Sequence, residues 1–352
     1  MNTEQKFEKA LQTLIAQSGA DLHIREDRFV YVRIKRQIIP LTDLDPFKRE
    51  ECVELLRNLL TKEKLDTLSQ NKSVDFSAVI LNRRLRGNAF VERGKMGIVF
   101  RLIPFIQTLN ELNLPTVLQA IAMREQGFFL VTGSVGNGKS TTLASMVKMI
   151  IENKPKHLIT VEDPIEFFYD DSKSFVDQRE VGIDVNNFED ALKNALRQDA
   201  DVLVVGEMRN KETMQMAITA AQTGHLVFST LHTNTATQSI ERIVDVFPAE
   251  SQREIRVALS VSLLGIFCQK LIPTVNGGIV PAYELMLNTS SVSHLIREGR
   301  IKDLDIQIEN GARDGHVSYN RSLLNLYEQG IISKETALTY TNDREGLEFL
   351  LK

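Results

Sequence analysis

Cysteine is scarce: Cys52 and Cys268 are the two in 352 residues. Without a C-x-x-C pair they form neither a disulfide framework nor a zinc knuckle, and they read as inert thiols in a reducing compartment. Long apolar runs are missing as well. Stretches such as ALSVSLLGIF at 258–267 fall short of the roughly 20 residues needed to cross a bilayer as a helix. The opening MNTEQKFEKALQ has no apolar core followed by small residues, so no secretory signal is read and a cytoplasmic protein is expected. There is no basic excess, because 42 Lys and Arg face 46 Asp and Glu for a net charge of −4, which weighs against a dedicated DNA-binding protein. Internal repeats and low-complexity tracts are not found. What remains, with 43% hydrophobic and 25% charged residues, is a soluble globular composition, long enough for two domains.

The first part, residues 1–108, reads as a small mixed domain. FEKALQTLIAQSG places Phe7, Leu11, Leu14 and Ile15 on one helical face and stops at Gly19. RFVYVRIKRQIIPL alternates apolar and charged residues as a half-buried strand does, and REECVELLRNLLTKEKLDTL reads as one amphipathic helix. VDFSAVI, LRGNAFVE and GIVFRLIP follow as further strands. FIQTLNELNLPTV then leaves the strand pattern, which places a linker at 109–115 within a transition that begins near Pro104.

From residue 116 to 290 the rhythm changes. The apolar strand GFFLVTG runs into a glycine loop and a helix beginning at Lys139, and HLITVED, DVLVVGE and HLVFSTLH are further strands. A helix with Met214, Ala217, Ile218 and Ala221 at helical spacing lies between the last two and ends at Gly224. Near-continuous apolar strands alternating with helices predict an α/β fold with a mostly parallel sheet covered on both faces. Residues 291–352 read as helical.

GSVGNGKS at 133–140 fits G-x-x-x-x-G-K-[ST], and it follows a strand and opens a helix, as phosphate binding requires. Gly133, Gly136 and Gly138 allow close backbone approach, while Ser134, Val135 and Asn137 complete the loop. Lys139 supplies charge at the β- and γ-phosphates, Ser140 a magnesium ligand, and the helix N-terminus a partial positive charge. Hydrolysis also needs an acid near the metal and a base for the attacking water. DVLVVGE ends in Glu207 at the carboxyl end of a strand, where ligands of parallel sheets bind. TVEDPIEFF offers Glu162, Asp163 and Glu166 around Pro164. His225 and His232 stand at opposite ends of one apolar strand; topology alone points His232, with Thr230 and Thr233, toward the phosphates. Arg83, Arg84, Arg86 and Arg101 are open to three readings: a solvated strand face, a cationic reach to nucleotide from another domain or subunit, or nucleic-acid contact, the last disfavoured by the lack of interleaved aromatics.

GSVGNGKSTTLASMV, ITVEDPIEF, QREVG, ALRQDADVLVVGEMRNKET, AAQTGHLVFSTLHT and RIVDVFP, in this order, resemble the secretion ATPase superfamily and, within it, the PilT-like type IV pilus retraction ATPases. That resemblance implies a PAS-like first domain, a RecA-like second domain with C-terminal helices, and a ring of six subunits with ATP between domains. It implies that Thr141 joins Lys139 and Ser140 at the phosphates, that Glu166 is the catalytic glutamate, and that Glu207 is the Walker B acid, acting on Mg2+ through water. His225 and His232 match the family's histidine pair, and Arg86 and Arg101 its first-domain arginines. Arg209 belongs to GEMR. SVSHLIRE at 291–298 is similar to the family's AIRNLIRE segment but replaces its first part, and Asn137 stands where serine is usual.

The function implied is an ATP-driven homohexamer that retracts a type IV pilus for twitching motility, working from the cytoplasm on an inner-membrane platform protein, with a second pilus ATPase as a further partner and no nucleic acid. The alternatives are an accessory or assembly ATPase of the same pilus or of a secretion machine. Assembly ATPases are longer and carry a four-cysteine motif, neither of which is present. ATP rather than GTP rests on the resemblance and on the lack of N-K-x-D after the glycine loop.

Overall fold

A computed structural model describes residues 1–17, 19–34, 37–103 and 105–352 and divides the chain into two compact units, Met1–Phe105 and Ile106–Lys352. In chain order the first unit holds α1 (Thr3–Ala16), β1 (Asp21–Arg25), β2 (Val30–Ile34), β3 (Gln37–Leu41), α2 (Arg49–Leu59), α3 (Lys62–Asn71), β4 (Ser73–Ile80), β5 (Arg83–Glu92) and β6 (Lys95–Leu102). Its strands form an antiparallel sheet in the order β3-β2-β1-β6-β5-β4. The apolar stripe of α1, Phe7, Leu11 and Leu14, is buried with Leu22 and Ile24 of β1 and with Ile98 and Phe100 of β6.

Two expectations for this unit are corrected. The single strand read at 28–41 is a hairpin of β2 and β3, paired from Val30↔Leu41 to Ile34↔Gln37. Alternation stops after Ile34, where polar Gln37 precedes the unbroken apolar run Ile38–Leu41 and β3 is exposed up to Leu41, so the reversal was marked in the pattern; Lys35 and Arg36, which separate the strands, lie outside the described residues, as does Pro104. The single helix read over 49–68 is also two helices. Leu60 takes an extended backbone with φ −106° and ψ 143°, and the Thr61 hydroxyl accepts the Lys64 N–H to start α3 afresh.

The second unit runs α4 (Val117–Ala122), β7 (Gly127–Thr132), α5 (Lys139–Asn153), β8 (His157–Glu162), β9 (Phe175–Glu180), α6 (Phe188–Ala195), β10 (Val202–Val205), α7 (Lys211–Gln222), β11 (Leu226–Leu231), α8 (Ala236–Asp245) and α9 (Ala249–Ser262). It continues with β12 (Leu263–Pro273), β13 (Ile279–Leu287), α10 (Ser290–Glu298), α11 (Asp303–Asn310), α12 (Tyr319–Glu328), α13 (Lys334–Tyr340) and α14 (Arg344–Leu350). The sheet order is β13-β12-β7-β11-β10-β8-β9, parallel throughout except for the β12–β13 hairpin at one edge. β9, α6 and that hairpin are elements which sequence pattern did not separate. All residues of β7, β10 and β11 are buried because both sheet faces are covered. Phe128 and Leu130 pack with α7, α8, α9 and α10, while Phe129 and Val131 pack with α4 and α5 on the opposite face. Each such side chain, once withdrawn from water, contributes about 1.5–3 kcal/mol.

Parallel strands place their carboxyl ends on one side. β7, β11, β10 and β8 are neighbours in that order, so the segments leaving them, at 133, 232, 206 and 163, emerge side by side. Residues 106–116, without helix or strand, are tied to α5: the Ser145 hydroxyl donates to Gln107 O at 2.7 Å and Lys148 Nζ donates to Ile106 O at 2.9 Å.

Candidate active site

The loop between β7 and α5 is built by glycine where no other residue fits. Gly133 has φ 144°, and a Cβ there would come within 2.4 Å of the Gln269 carbonyl oxygen of β12. Gly138 is left-handed, φ 77° and ψ 18°, and turns the chain into the first turn of α5. Two side chains then lock the loop to β12. Gln269, 2% exposed, donates from Nε2 to Asn137 O at 2.5 Å and accepts the Thr142 hydroxyl at 2.7 Å. Asn137 Oδ1 in turn accepts the Leu271 N–H at 3.1 Å.

A cavity of about 600 Å3 opens over this loop. Val135, Gly136, Gly138, Lys139, Ser140 and Thr141 line it from the loop and α5, and Glu162, Asp163, Glu166, Glu207, Arg209 and His232 from the neighbouring strand ends. Lys139 is 8% exposed; its Nζ donates to Gly133 O at 2.8 Å and to Ser134 O at 3.1 Å and lies 3.3 Å from His232 Nδ1. Burial lowers its pKa, and the carboxylates of Glu166 and Glu207 oppose that shift.

Glu207 follows the turn at Gly206, whose carbonyl accepts the Thr230 hydroxyl at 2.5 Å. One carboxylate oxygen of Glu207 pairs with Arg209, and the other stands 3.7 Å from His232 Nε2. Arg209 also reaches Asp163 at 3.9 Å, and its pKa is raised chiefly by the hydrogen bond to Glu207.

The three acids of the EDPIE turn separate into different roles. Glu162 is engaged: its Oε1 accepts the Thr160 hydroxyl at 2.7 Å and lies 3.4 Å from Gln178 Nε2. Burial raises its pKa, and these bonds, with that of the Glu166 amide, oppose the rise. Glu166 is exposed to the cavity and, among the described residues, its carboxylate makes no hydrogen bond or ion pair, so Glu162 fixes the turn that presents it.

Within one chain His225 is not brought to this cavity. It precedes the six residues of β11, about 20 Å from the opposite end at the usual strand rise, and its Nδ1 lies 3.0 Å from Ala220 O at the end of α7. Arg86 and Arg101 belong to the other unit. They face one another in register on β5 and β6, and Arg101 Nε donates to the buried Asp21 at 2.8 Å, which raises its pKa. Asp21 also holds Arg33 at 3.2 Å.

Gln269, the Asn137 side chain and the Glu162 network were not found from sequence. A glutamine inside the apolar run LLGIFCQKLIP was the available signal, since polar groups in buried strands need partners.

The family model for type II/IV secretion system proteins matches residues 98–337. The type IV pilus ATPase PilU of Pseudomonas aeruginosa is 35% identical over 99% of this chain and 91% of its own length. The type IV pilus retraction ATPase PilT of the same organism is 38% identical over 91% of this chain and 94% of its own. A crystal structure of the pilus retraction motor PilT with bound ADP superposes with a TM-score of 0.87 at 39% identity, covering 99% of each chain.

Proposed function

The chain belongs to the type II/IV secretion system protein family, and from that membership we propose that it is the ATP-hydrolysing motor of type IV pilus retraction, acting as a homohexamer at the cytoplasmic face of the inner membrane through a platform protein. The observation that carries this reading is the one cavity in which Lys139, Ser140, Glu166, Glu207 and His232 meet at the carboxyl ends of adjacent strands.

In this reading the loop amides of residues 136–141 and the start of α5 receive the β- and γ-phosphates, and Lys139 neutralises them. Glu166, exposed on its turn, takes the proton of the attacking water. His232 and Arg209 hold the Glu207 carboxylate in place. A magnesium ion suits the donor set, the Ser140 hydroxyl and, through water, Glu207, which are hard oxygens. These two residues alone do not fill an octahedral shell, so the ion would be retained jointly with phosphate oxygens, whose charge it offsets. Arg86 and Arg101 complete the charge around nucleotide held by a neighbouring copy.

The decisive experiment replaces Glu166 by Gln, in the purified protein and on the chromosome. Expected are retained ATP binding, loss of magnesium-dependent turnover, and long pili that no longer retract. Bald cells would mean assembly instead; normal turnover of the variant would remove Glu166 from the mechanism.

A further inference from the structure

One buried acid lies outside the cavity and yet is bonded to the segment that delivers His232. Residues 232–235 connect β11 to α8, and they are held by short bonds on every side. Ser134 of the phosphate loop donates its hydroxyl to Asn234 Oδ1 at 3.0 Å. Thr233 and Ser239 share a hydroxyl contact at 2.7 Å, and the Asn234 N–H reaches Gln238 Oε1 at 3.2 Å. Thr235 caps α8 by accepting the Gln238 N–H at 3.1 Å, which leaves the first helical amide, that of the fully buried Ala236, outside the cap. An amide buried there without an acceptor is strongly destabilising. Its acceptor comes from another part of the sheet: Oε1 of Glu284, on β13, at 2.7 Å.

Glu284 is 8% exposed and stands opposite Cys268 of β12 in the hairpin. The next helical residue, Thr237, donates to Asp305 of α11, so the start of α8 is fastened to two elements distant in sequence. Three residues separate His232 from Ala236, too few to absorb a displaced helix start without moving the imidazole.

We propose that Glu284 is a positioning residue for ATP hydrolysis: by accepting the Ala236 N–H it fixes the start of α8 and so holds His232 and Asn234 against the phosphate loop. This rests on the ATPase reading of the cavity. The bond needs only an acceptor oxygen, which the carboxyl supplies whether or not it is protonated. Glutamine at the same position keeps the acceptor; alanine does not.

The test compares Glu284→Gln and Glu284→Ala with the wild type in the full chain, by steady-state ATP turnover and by amide hydrogen exchange over residues 231–240 without nucleotide. Glu284→Gln is expected to keep kcat within about threefold. Glu284→Ala is expected to lose about tenfold or more in kcat with KM for ATP within about threefold, to exchange the 231–240 amides at least about tenfold faster, and to add little loss in a His232→Ala background. If Glu284→Ala does not fold, Ala236→Pro deletes the same hydrogen bond from the donor side at a position proline tolerates and is expected to show the same losses. Unchanged exchange in the acceptor-less variant, or losses that multiply with those of His232→Ala, overturns the proposal. A wild-type protein without ATP turnover would defeat the ATPase reading alone, leaving exchange to decide whether Glu284 holds the segment.

Discussion

Nζ of Lys139 and Nδ1 of His232 are 3.3 Å apart. An ammonium can only donate, so this contact assigns the lone pair to Nδ1 and the ring hydrogen to Nε2, which faces Glu207 at 3.7 Å. His232 therefore accepts on the phosphate-loop side and turns its Nε2–H toward the Glu207 carboxylate, beyond hydrogen-bond distance. Asparagine can imitate the Nδ1 side and glutamine the Nε2 side. Both variants are expected to lower kcat by about tenfold or more while ADP binding stays within about threefold; steady-state kinetics and calorimetry check this, and a variant with full kcat would remove His232 from the mechanism.

Asn137 is expected to act on affinity rather than on chemistry. Its Oδ1 accepts the Leu271 N–H at 3.1 Å and its carbonyl accepts from Gln269 at 2.5 Å, so the loop is shaped by β12 before nucleotide arrives. Asn137→Ala removes one of these bonds, of about 1 kcal/mol, and should weaken ADP binding about fivefold with kcat little changed. Titration calorimetry decides; unaltered affinity would mean that the Gln269 bond alone shapes the loop.

Glu284 gives the protein a specific pH dependence. Burial pushes its carboxyl from the ordinary 4.5 up to about 7, helped by Asp305 and Glu309 of α11 and opposed by the Ala236 amide and Lys270 of β12, with the Cys268 thiol also facing it. The folded state thus holds a proton that the unfolded chain has released. Below about pH 4.5 both states are protonated and nothing is lost; through the window up to about 7 stability falls, and above it the cost is complete. Glu284→Gln stays neutral, so it should be more stable than wild type at about pH 8 by up to about 3 kcal/mol, with the advantage closing near pH 5. Denaturant melts at both pH values check this, and a gap that does not vary with pH would assign the proton elsewhere.

For Arg101, the proposed reach is to nucleotide in a neighbouring copy. Mixing Arg101→Ala with Lys139→Ala subunits should then recover part of the turnover that each lacks alone, because some sites regain both groups. Verified mixed rings without recovery would confine Arg101 to its ion pair with Asp21.

The legible part of the site was local in sequence. Gly133 to Thr141 carry their own backbone requirement, and Glu207 and His232 end apolar strands whose parallel arrangement puts them beside the loop. Gln269 and Glu284 were not legible, since their partners Asn137 and Ala236 lie 132 and 48 residues away. The split of α2 from α3 and of β2 from β3 escaped for another reason: each break carries a weak local signal, the capping Thr61 in one and the unbroken apolar run from Ile38 to Leu41 in the other, inside a stretch whose overall pattern reads as one element.

Cys52 is fully buried and its thiol is pushed up to about 12, while burial raises Cys268, 2% exposed, well above the ordinary thiol value. Neither presents a thiolate to solvent at neutral pH. A cysteine introduced on an exposed face would therefore be the one that takes a maleimide dye, so the native background is already suited to site-specific labelling without removal of either thiol.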